Sequence, residues 1–304
     1  MTKNVFITGG AGQDGQILTI LLKKKKINLT IFYRDKIPKT IKGVNFIKDD
    51  LLNKKKIDTL FKRIKPNIVL HLAANNPSYN EKNYKIFFNK NFIATKNIFY
   101  STFEANKEAK FIFCSSSQIF QKKKGIVSEK SKFHETTDYT KFRIKSDFMM
   151  LKYKKKEKIN YTNAILFNHD SVYRGKKFLI PRLVNAIIKR DYSFLNDIIK
   201  ANIFADFSHA SDICNALHKI IISKTNLDRL ILSSGKSTSV NDIIRYILNK
   251  NKLRLNVNLD ERIVKKTLIG NNMLARQKLK WSSKKNIFIA ANEIYRFKIK
   301  KKTK

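Results

Sequence analysis

A cluster of glycines near the N-terminus constrains this fold more than any other feature of the sequence. Four of the chain's 9 glycines stand in the run Thr8-Gly9-Gly10-Ala11-Gly12-Gln13-Asp14-Gly15. A strand-like run at 5–8 precedes it, and a helical apolar pattern follows it. Gly9 suits a tight turn, Gly12 lets backbone approach a pyrophosphate, and Gly15 permits close helix packing. Because a helix N-terminus also supplies amides and a positive dipole end, the run predicts a dinucleotide-binding turn.

The first half of the chain alternates short apolar runs with longer amphipathic segments. Strands are predicted at 5–8, 29–33, 44–47, 68–72, 110–115 and 162–167, and helices near 14–25, 54–64, 84–105 and 139–154. Such alternation is typical of a parallel sheet covered by helices on both faces. We therefore predict a Rossmann-type doubly wound α/β domain over residues 1–168.

After Asn168 the alternation becomes less regular. Helices are predicted at 181–190, 211–223, 240–250 and 285–296, and strands at 229–233 and 255–259. No low-complexity linker separates the two halves. Residues 169–304 are therefore predicted to form a smaller, closely packed α/β lobe that binds the substrate.

Length and composition fit a cytoplasmic folded protein. The 304 residues are 42% hydrophobic, which is enough to bury a sizeable core. Cys114 and Cys214 form no CxxC pair and no metal-ligand spacing, so neither a disulfide nor a metal site is predicted. No apolar run reaches the roughly 18 residues of a membrane span.

The chain is strongly basic, with 64 Lys and Arg against 23 acidic residues and a formal net charge of +41. The lysines form short runs along the whole chain, mostly where helices end or loops begin. No recognisable nucleic-acid-binding module accompanies them. We interpret the charge as a solvated surface in preference to a nucleic-acid face, although a polyanionic partner is the alternative.

Several residues at predicted strand ends suit a dinucleotide. Arg34, after the second strand, would pair with a ribose 2′-phosphate, which favours NADP over NAD. Asp35 follows directly and keeps NAD as the alternative. Asp50-Leu51 and Leu72-Ala73-Ala74, after the third and fourth strands, are predicted to line the rest of the cofactor path.

A serine, a tyrosine and a cation form a candidate catalytic group. Ser116 follows the fifth strand, Tyr139 comes 23 residues later, and Arg143 stands one helical turn beyond Tyr139. In this layout a tyrosinate takes a hydroxyl proton, the cation stabilises the tyrosinate, and a nicotinamide accepts the hydride. The arrangement is that of a short-chain dehydrogenase.

The chain resembles the extended short-chain dehydrogenases/reductases, and within them the GDP-mannose 4,6-dehydratase family. The specific marks are the Gly-Gln-Asp-Gly ending of the glycine run and Phe167-Asn168-His169-Asp170-Ser171, followed by Arg174-Gly175. Weaker marks are residues 206–212, 233–235 and 278–281. The resemblance spans almost the whole chain and implies a homo-oligomer that acts on a nucleotide-sugar, namely GDP-mannose, with NADP.

The family's site residues transfer to matching positions of this sequence. The resemblance implies that the cofactor contacts Gly9, Gly10, Ala11, Gly12, Gln13, Asp14, Asp50, Leu51, Leu72, Ala73, Ala74, Tyr139, His169 and Arg174. It also implies that Ser116 replaces a catalytic threonine and that Asn168 and Arg182 hold the nucleotide-sugar.

Two positions of the catalytic group depart from the family pattern. Gln118 stands where the family has the glutamate that removes the C5 proton, and an amide cannot act as a general base near neutral pH. Arg143 stands where the family has lysine, so the charge is kept but not the compact ammonium. Ala205 also replaces a family arginine that would meet phosphate.

Four functions follow from these residues. The first is a GDP-mannose 4,6-dehydratase-like reaction: C4 oxidation by NADP, loss of water across C5 and C6, and reduction at C6. The second is a nucleotide-sugar 4-keto reductase or epimerase, which needs no C5 base and which Gln118 favours. The third is a catalytically silent nucleotide-binding protein, and the fourth, which rests on the net charge of +41 alone, is a nucleic-acid-binding protein.

Overall fold

A computed structural model describes residues 2–35, 37–75, 84–121, 124–259 and 265–302. Its largest element is a sheet of seven parallel strands. These are β1 (Lys3–Thr8), β2 (Ile27–Tyr33), β3 (Asn45–Lys48), β4 (Ile68–His71), β5 (Lys110–Ser116), β7 (Asn160–Leu166) and β10 (Arg229–Leu232). Their order across the sheet is β10-β7-β5-β4-β1-β2-β3. The sheet confirms the predicted doubly wound α/β fold.

The strand order reverses beside β1, which positions the site. β1 pairs with β2 on one side, with Thr8 opposite Phe32, and with β4 on the other, with Thr8 opposite His71. In a doubly wound sheet the crevice at the carboxyl ends of such strands is where ligands bind.

Ten helices occur among the described residues. They are α1 (Gln13–Leu22), α2 (Lys54–Ile64), α3 (Tyr84–Ala105), α4 (Asp138–Glu157), α5 (Leu179–Lys189), α6 (Tyr192–Ala201), α7 (Ala210–Ile222), α8 (Val240–Lys250), α9 (Met273–Leu279) and α10 (Ile287–Lys302). Helices α1, α7 and α9 bury apolar side chains on one face of the large sheet, and α2, α3 and α4 on the other. None of these helices is both long and apolar enough to cross a membrane.

The second half of the chain carries two small sheets. β8 (Asn168–Asp170), β9 (Phe204–His209) and β11 (Ser237–Ser239) form one, and β6 (Gly125–Val127) pairs with β12 (Leu268–Gly270) in the other. Helices α5, α6, α8 and α10 enclose a separate apolar core beside them. Strand β10 also comes from this half yet completes the large sheet, so the two halves interlock; the boundary near 168 stays a prediction.

One predicted strand is absent. Residues 255–259 form no regular structure, and instead Leu255, Val257 and Leu259 pack, partly buried, on the core of α5, α8 and α10. Their alternation predicted a strand, but apolar residues at every second position also suit an extended segment lying on helices. Helices α6 and α9 were not predicted.

Candidate functional site

The glycine turn between β1 and α1 is shaped to leave backbone exposed. Gly9 has φ of +72°, and a Cβ there would lie 2.9 Å from the Ala73 nitrogen. A Cβ on Gly15 would lie 2.5 Å from the Gly10 Cα, so α1 packs directly against the turn. Helix α1 begins at Gln13 with Gly12 as its N-cap. This side-chain-free cradle at a helix N-terminus fits the pyrophosphate of a dinucleotide.

One cavity, of about 330 Å³, runs from the turn towards the ends of β2 and β3. Nine of the predicted cofactor residues line it: Gly9, Ala11, Gly12, Arg34, Asp50, Leu51, Leu72, Ala73 and Ala74. At its rim Arg34 Nε donates to an Asp35 carboxylate oxygen at 2.7 Å, and both side chains are largely exposed. Gly10, also predicted to contact the cofactor, is buried and does not line this cavity; its nitrogen donates to the Phe32 carbonyl at 3.0 Å.

A buried histidine fixes the neighbouring strand end. The Thr8 hydroxyl lies 2.8 Å from His71 Nδ1 and accepts from the Ala73 nitrogen at 3.2 Å, while His71 Nε2 lies 3.0 Å from the Thr95 hydroxyl. Burial, reinforced by the charge of Arg143, lowers the pKa of His71 to about 3. The imidazole is therefore neutral, and it contacts the Thr8 hydroxyl to which the Ala73 nitrogen is bonded.

A second cavity, of about 630 Å³, opens from the same turn towards the ends of β5 and β7. It brings together eight further predicted residues of the cofactor and catalytic groups, together with Asn168 from the predicted substrate group: Gln13, Asp14, Ser116, Gln118, Tyr139, Arg143, His169 and Arg174. Because Gly9, Ala11, Gly12 and Leu72 line both cavities, the two form one cleft.

Tyr139 and Arg143 meet inside this cleft. Thr137 caps α4 through a capping box with Thr140, which fixes the first turn and Tyr139 in it. One turn later, Arg143 Nη2 donates to Tyr139 Oη at 3.1 Å, and its Nη1 donates to the Cys114 carbonyl. The guanidinium also lies 4.8 Å from the centre of the Phe142 ring. A buried cation thus stands beside the phenol oxygen, as the sequence predicted.

Ser116 and Gln118 lie at the end of β5, where a short 3₁₀ helix (Ser117–Phe120) begins. The Ser116 hydroxyl oxygen accepts from the Gln118 backbone nitrogen at 3.3 Å, which leaves its proton free to be donated elsewhere. The Gln118 side chain is exposed to the cleft. The position of the family glutamate is therefore inside the cleft but carries an amide.

Gln13 and Asp14 join the glycine turn to the second half of the chain. Gln13 Nε2 donates to the His169 carbonyl at 3.1 Å, and Gln13 Oε1 accepts from the Ser171 hydroxyl at 3.0 Å. His169 Nε2 lies 3.0 Å from an Asp14 oxygen, and its Nδ1 lies 2.6 Å from the Phe167 carbonyl. Since a carboxylate and a carbonyl both accept, both ring nitrogens carry protons. Contact of these side chains with a cofactor stays a prediction.

Asp14 and His169 shift each other's pKa values. Burial opposes the charged imidazole, but the Asp14 carboxylate more than offsets it and raises the pKa of His169. Burial likewise opposes the charged carboxyl, but His169 and then Arg174 lower the pKa of Asp14. The ion pair therefore stabilises the fold fully between the ordinary values of 3.8 and 6.5. It weakens as acid protonates Asp14 and as base deprotonates His169.

Replacing His169 by glutamine should lower the free energy of unfolding by about 2 kcal/mol near pH 6, because Asp14 loses a charge-assisted hydrogen bond. The difference from wild type should shrink as pH rises through the raised His169 pKa. Denaturant titrations across this range measure it, with Asp14→Asn as the matched removal of the other charge. A difference that does not vary with pH would contradict an ionised pair.

Two predicted substrate residues lie apart from each other. Asn168 is exposed in the second cavity, where its Nδ2 donates to the Asp206 carbonyl at 3.3 Å. Arg182 instead lines a different cavity, and its guanidinium lies 4.7 Å from the centre of the Phe194 ring. Arg174 remains in the cleft with its guanidinium 3.6 Å from the centre of the Phe178 ring. The substrate assignments stay predictions.

The catalytic end of the cleft is short of carboxylates. Among the described residues that line the second cavity, Asp14 is the one carboxylate, and His169 already engages it. Glu129 accepts from the Ile231 nitrogen at 2.9 Å, and neither Glu129 nor Glu135 lines the cavity. Ser171 was missed by the sequence reasoning, although it stands within the Phe-Asn-His-Asp-Ser motif.

Comparisons with known proteins show the family and the fold of this chain. The model of the GDP-mannose 4,6-dehydratase family matches residues 6–290. A UDP-glucose 4-epimerase of Mycoplasma genitalium is 27% identical over 93% of this chain and 92% of its own. A GDP-6-deoxy-D-talose 4-dehydrogenase of Aggregatibacter actinomycetemcomitans is 23% identical over 86% and 84%. In fold, the chain is similar to a UDP-glucuronic acid 4-epimerase from Bacillus cereus in complex with NAD, with a TM-score of 0.83, 19% identity and coverage of 99% and 100%.

Proposed function

Since this chain belongs to the GDP-mannose 4,6-dehydratase family, we propose that it catalyses a nucleotide-sugar 4,6-dehydratase reaction that begins with oxidation of the sugar at C4. The observation that carries the proposal is the 3.1 Å hydrogen bond from Arg143 to Tyr139 in the cavity that also holds Ser116. That cavity adjoins a turn that fits a dinucleotide. GDP-mannose is the proposed substrate and a homo-oligomer the proposed assembly.

The residues divide the first step between them. Tyr139 acts as a tyrosinate whose negative charge is stabilised by Arg143. Its Oη then takes the proton of the C4 hydroxyl. Ser116 donates a hydrogen bond from its hydroxyl to the same sugar oxygen and keeps its proton. A nicotinamide held in the cleft would supply the hydride acceptor for C4 and the hydride donor for the closing reduction.

Elimination of water needs one further group, which takes the proton from C5. Gln118 occupies the family's position for that base and cannot serve. We therefore carry a second candidate function, a nucleotide-sugar 4-epimerase or 4-keto reductase, because these reactions use Ser116 and Tyr139 without a C5 base. The names of two relatives, a 4-epimerase and a 4-dehydrogenase, favour the same candidate.

Product analysis separates the candidates. The purified chain is incubated with NADP and with GDP-mannose, UDP-glucose or dTDP-glucose, and the sugars are identified by NMR. A 6-deoxy-4-keto sugar supports the dehydratase, whereas an inverted C4 or a 4-keto sugar that keeps its C6 hydroxyl supports the second candidate. Binding of NADP without any product contradicts both and leaves a silent protein.

The proposed cofactor is NADP, with NAD as the alternative, because Arg34 lines the cavity at the end of β2. Its ion pair with Asp35 is exposed and therefore weak, so the guanidinium can turn to a 2′-phosphate. We expect Arg34→Ala to weaken NADP binding about tenfold and to leave NAD unchanged. Asp35→Asn is the matched control and should not weaken NADP. Calorimetric titration with both dinucleotides measures the preference. NAD binding that is tighter than NADP binding and unchanged in Arg34→Ala would overturn it.

A further inference from the structure

A separate cavity lies between α5, α6 and the C-terminal end of α10. Its volume is about 570 Å³. None of its described lining residues lines either cavity of the cleft. The proposed function makes no use of it.

The lining of this cavity is far more basic than the chain as a whole. Five cations line it, namely Lys176, Arg182, Lys189, Lys298 and Lys301, with Asp191 as the one acid among the described lining residues. In the whole chain basic residues outnumber acidic ones 64 to 23. One oxygen of Asp191 is already engaged, because it accepts from the Phe194 nitrogen at 3.1 Å and caps α6.

Three of these cations are held in place by contacts. Lys298 Nζ donates to the Pro181 carbonyl at 3.0 Å, where α5 begins. The Arg182 guanidinium lies over the Phe194 ring at 4.7 Å, and Lys301 Nζ lies 4.7 Å from the centre of the Phe297 ring. Cations held in this way lose little freedom when they bind a ligand, which favours affinity.

The positive charges also act on one another. Burial lowers the pKa of Lys298, and the charges of Lys176 and Lys189 lower it further. Both of these neighbours are exposed at the mouth of the cavity. An anion between the three lysines would remove this repulsion.

We propose that this cavity binds a small phosphate-bearing molecule at a site separate from the dinucleotide cleft. Phosphate oxygens accept hydrogen bonds from ammonium and guanidinium groups alike. The volume falls within the range of about 300 to 1,000 Å³ that is typical of small-molecule sites. A concave site between helices suits a small ligand better than an extended nucleic acid, which binds along a basic stripe.

Calorimetric titration with inorganic pyrophosphate, on the full chain saturated with NADP, tests the proposal. We expect one pyrophosphate per chain in wild type, and about tenfold weaker binding in Lys176→Gln/Lys189→Gln, because two screened charges are lost. The control is Lys24→Gln/Lys25→Gln, which removes the same charge from an exposed segment after α1. The control should bind like wild type. Lys298→Gln should also weaken binding, with NADP affinity and thermal unfolding as checks on its fold.

Three results would overturn the proposal. Equal weakening in the pocket variant and the control would assign the binding to diffuse charge. Pyrophosphate binding that occurs without NADP but disappears on the NADP-saturated chain would assign it to the cofactor cleft, and displacement by GDP-mannose would assign it to the substrate's own diphosphate. Turnover of Lys176→Gln/Lys189→Gln with nucleotide-sugars is measured in parallel. This separate readout distinguishes a failure of the phosphate-site proposal from a failure of the proposed function.

Discussion

Tyr139→Phe should reduce hydride transfer by about 10² to 10⁴, the usual contribution of a positioned acid or base. In the lining of the catalytic cavity, the phenol oxygen accepts a hydrogen bond from the buried Arg143 guanidinium at 3.1 Å. The phenylalanine ring keeps the packing and loses only the oxygen. Single-turnover absorbance of the reduced nicotinamide measures the step directly.

The matched control is Tyr246→Phe. This tyrosine lies on α8 against Phe288, away from the cleft, so its hydroxyl should not matter to turnover. Dinucleotide binding by both variants should equal that of wild type. Turnover retained by Tyr139→Phe would place the catalytic site elsewhere in the chain.

Gln118→Glu should create or accelerate exchange of the sugar's C5 proton by about 10² to 10⁴, because it restores a general base to the cleft. The side chain is exposed in the catalytic cavity, so a carboxylate there needs no new space. If the chain descends from a dehydratase that has lost this base, the variant should also make more 6-deoxy-4-keto sugar. Deuterium incorporation at C5 from heavy water, with GDP-mannose and NADP, reports the step.

Gln121→Glu controls for the change of charge, because Gln121 is exposed nearby but does not line the cavity. It should leave exchange unchanged. Rapid incorporation by wild type that survives Ser116→Ala and Tyr139→Phe would contradict the whole catalytic assignment. No incorporation in either wild type or Gln118→Glu would favour the reductase or the silent protein.

The local parts of the site could be predicted because each depends on short-range spacing. Glycines between a strand and a helix predict the turn, and an i, i+4 pair on one helix places Tyr139 beside Arg143. Parallel strands then bring their carboxyl ends to one edge, which gathers Ser116 and Asn168 without further information. These contacts are fixed by elements that the sequence pattern already determines.

Long-range pairings could not be predicted in the same way. The sequence around Asp14 does not predict that its partner is His169, 155 residues away. Glu129 precedes Tyr139 by ten residues in the chain, yet it accepts a hydrogen bond from the Ile231 nitrogen of β10 and does not line the cavity. The alternation at 255–259 predicted a strand, yet no neighbouring strand is available to it among the described residues. Tertiary partners decided each of these cases.

The hydrogen bond from the Gln118 nitrogen to Ser116 gives the serine a fixed direction. The backbone uses one acceptor site of the serine oxygen and leaves the hydroxyl proton available, so we expect the serine to act as a donor towards the sugar. Ketone and alcohol oxygens both accept, but a donor at the C4 oxygen acts most strongly on the negative charge that builds there while hydride leaves or returns. The serine is therefore expected to lower the barrier to hydride transfer in both directions. The rate of hydride return matters here, because elimination, inversion and escape of the oxidised sugar all compete with it.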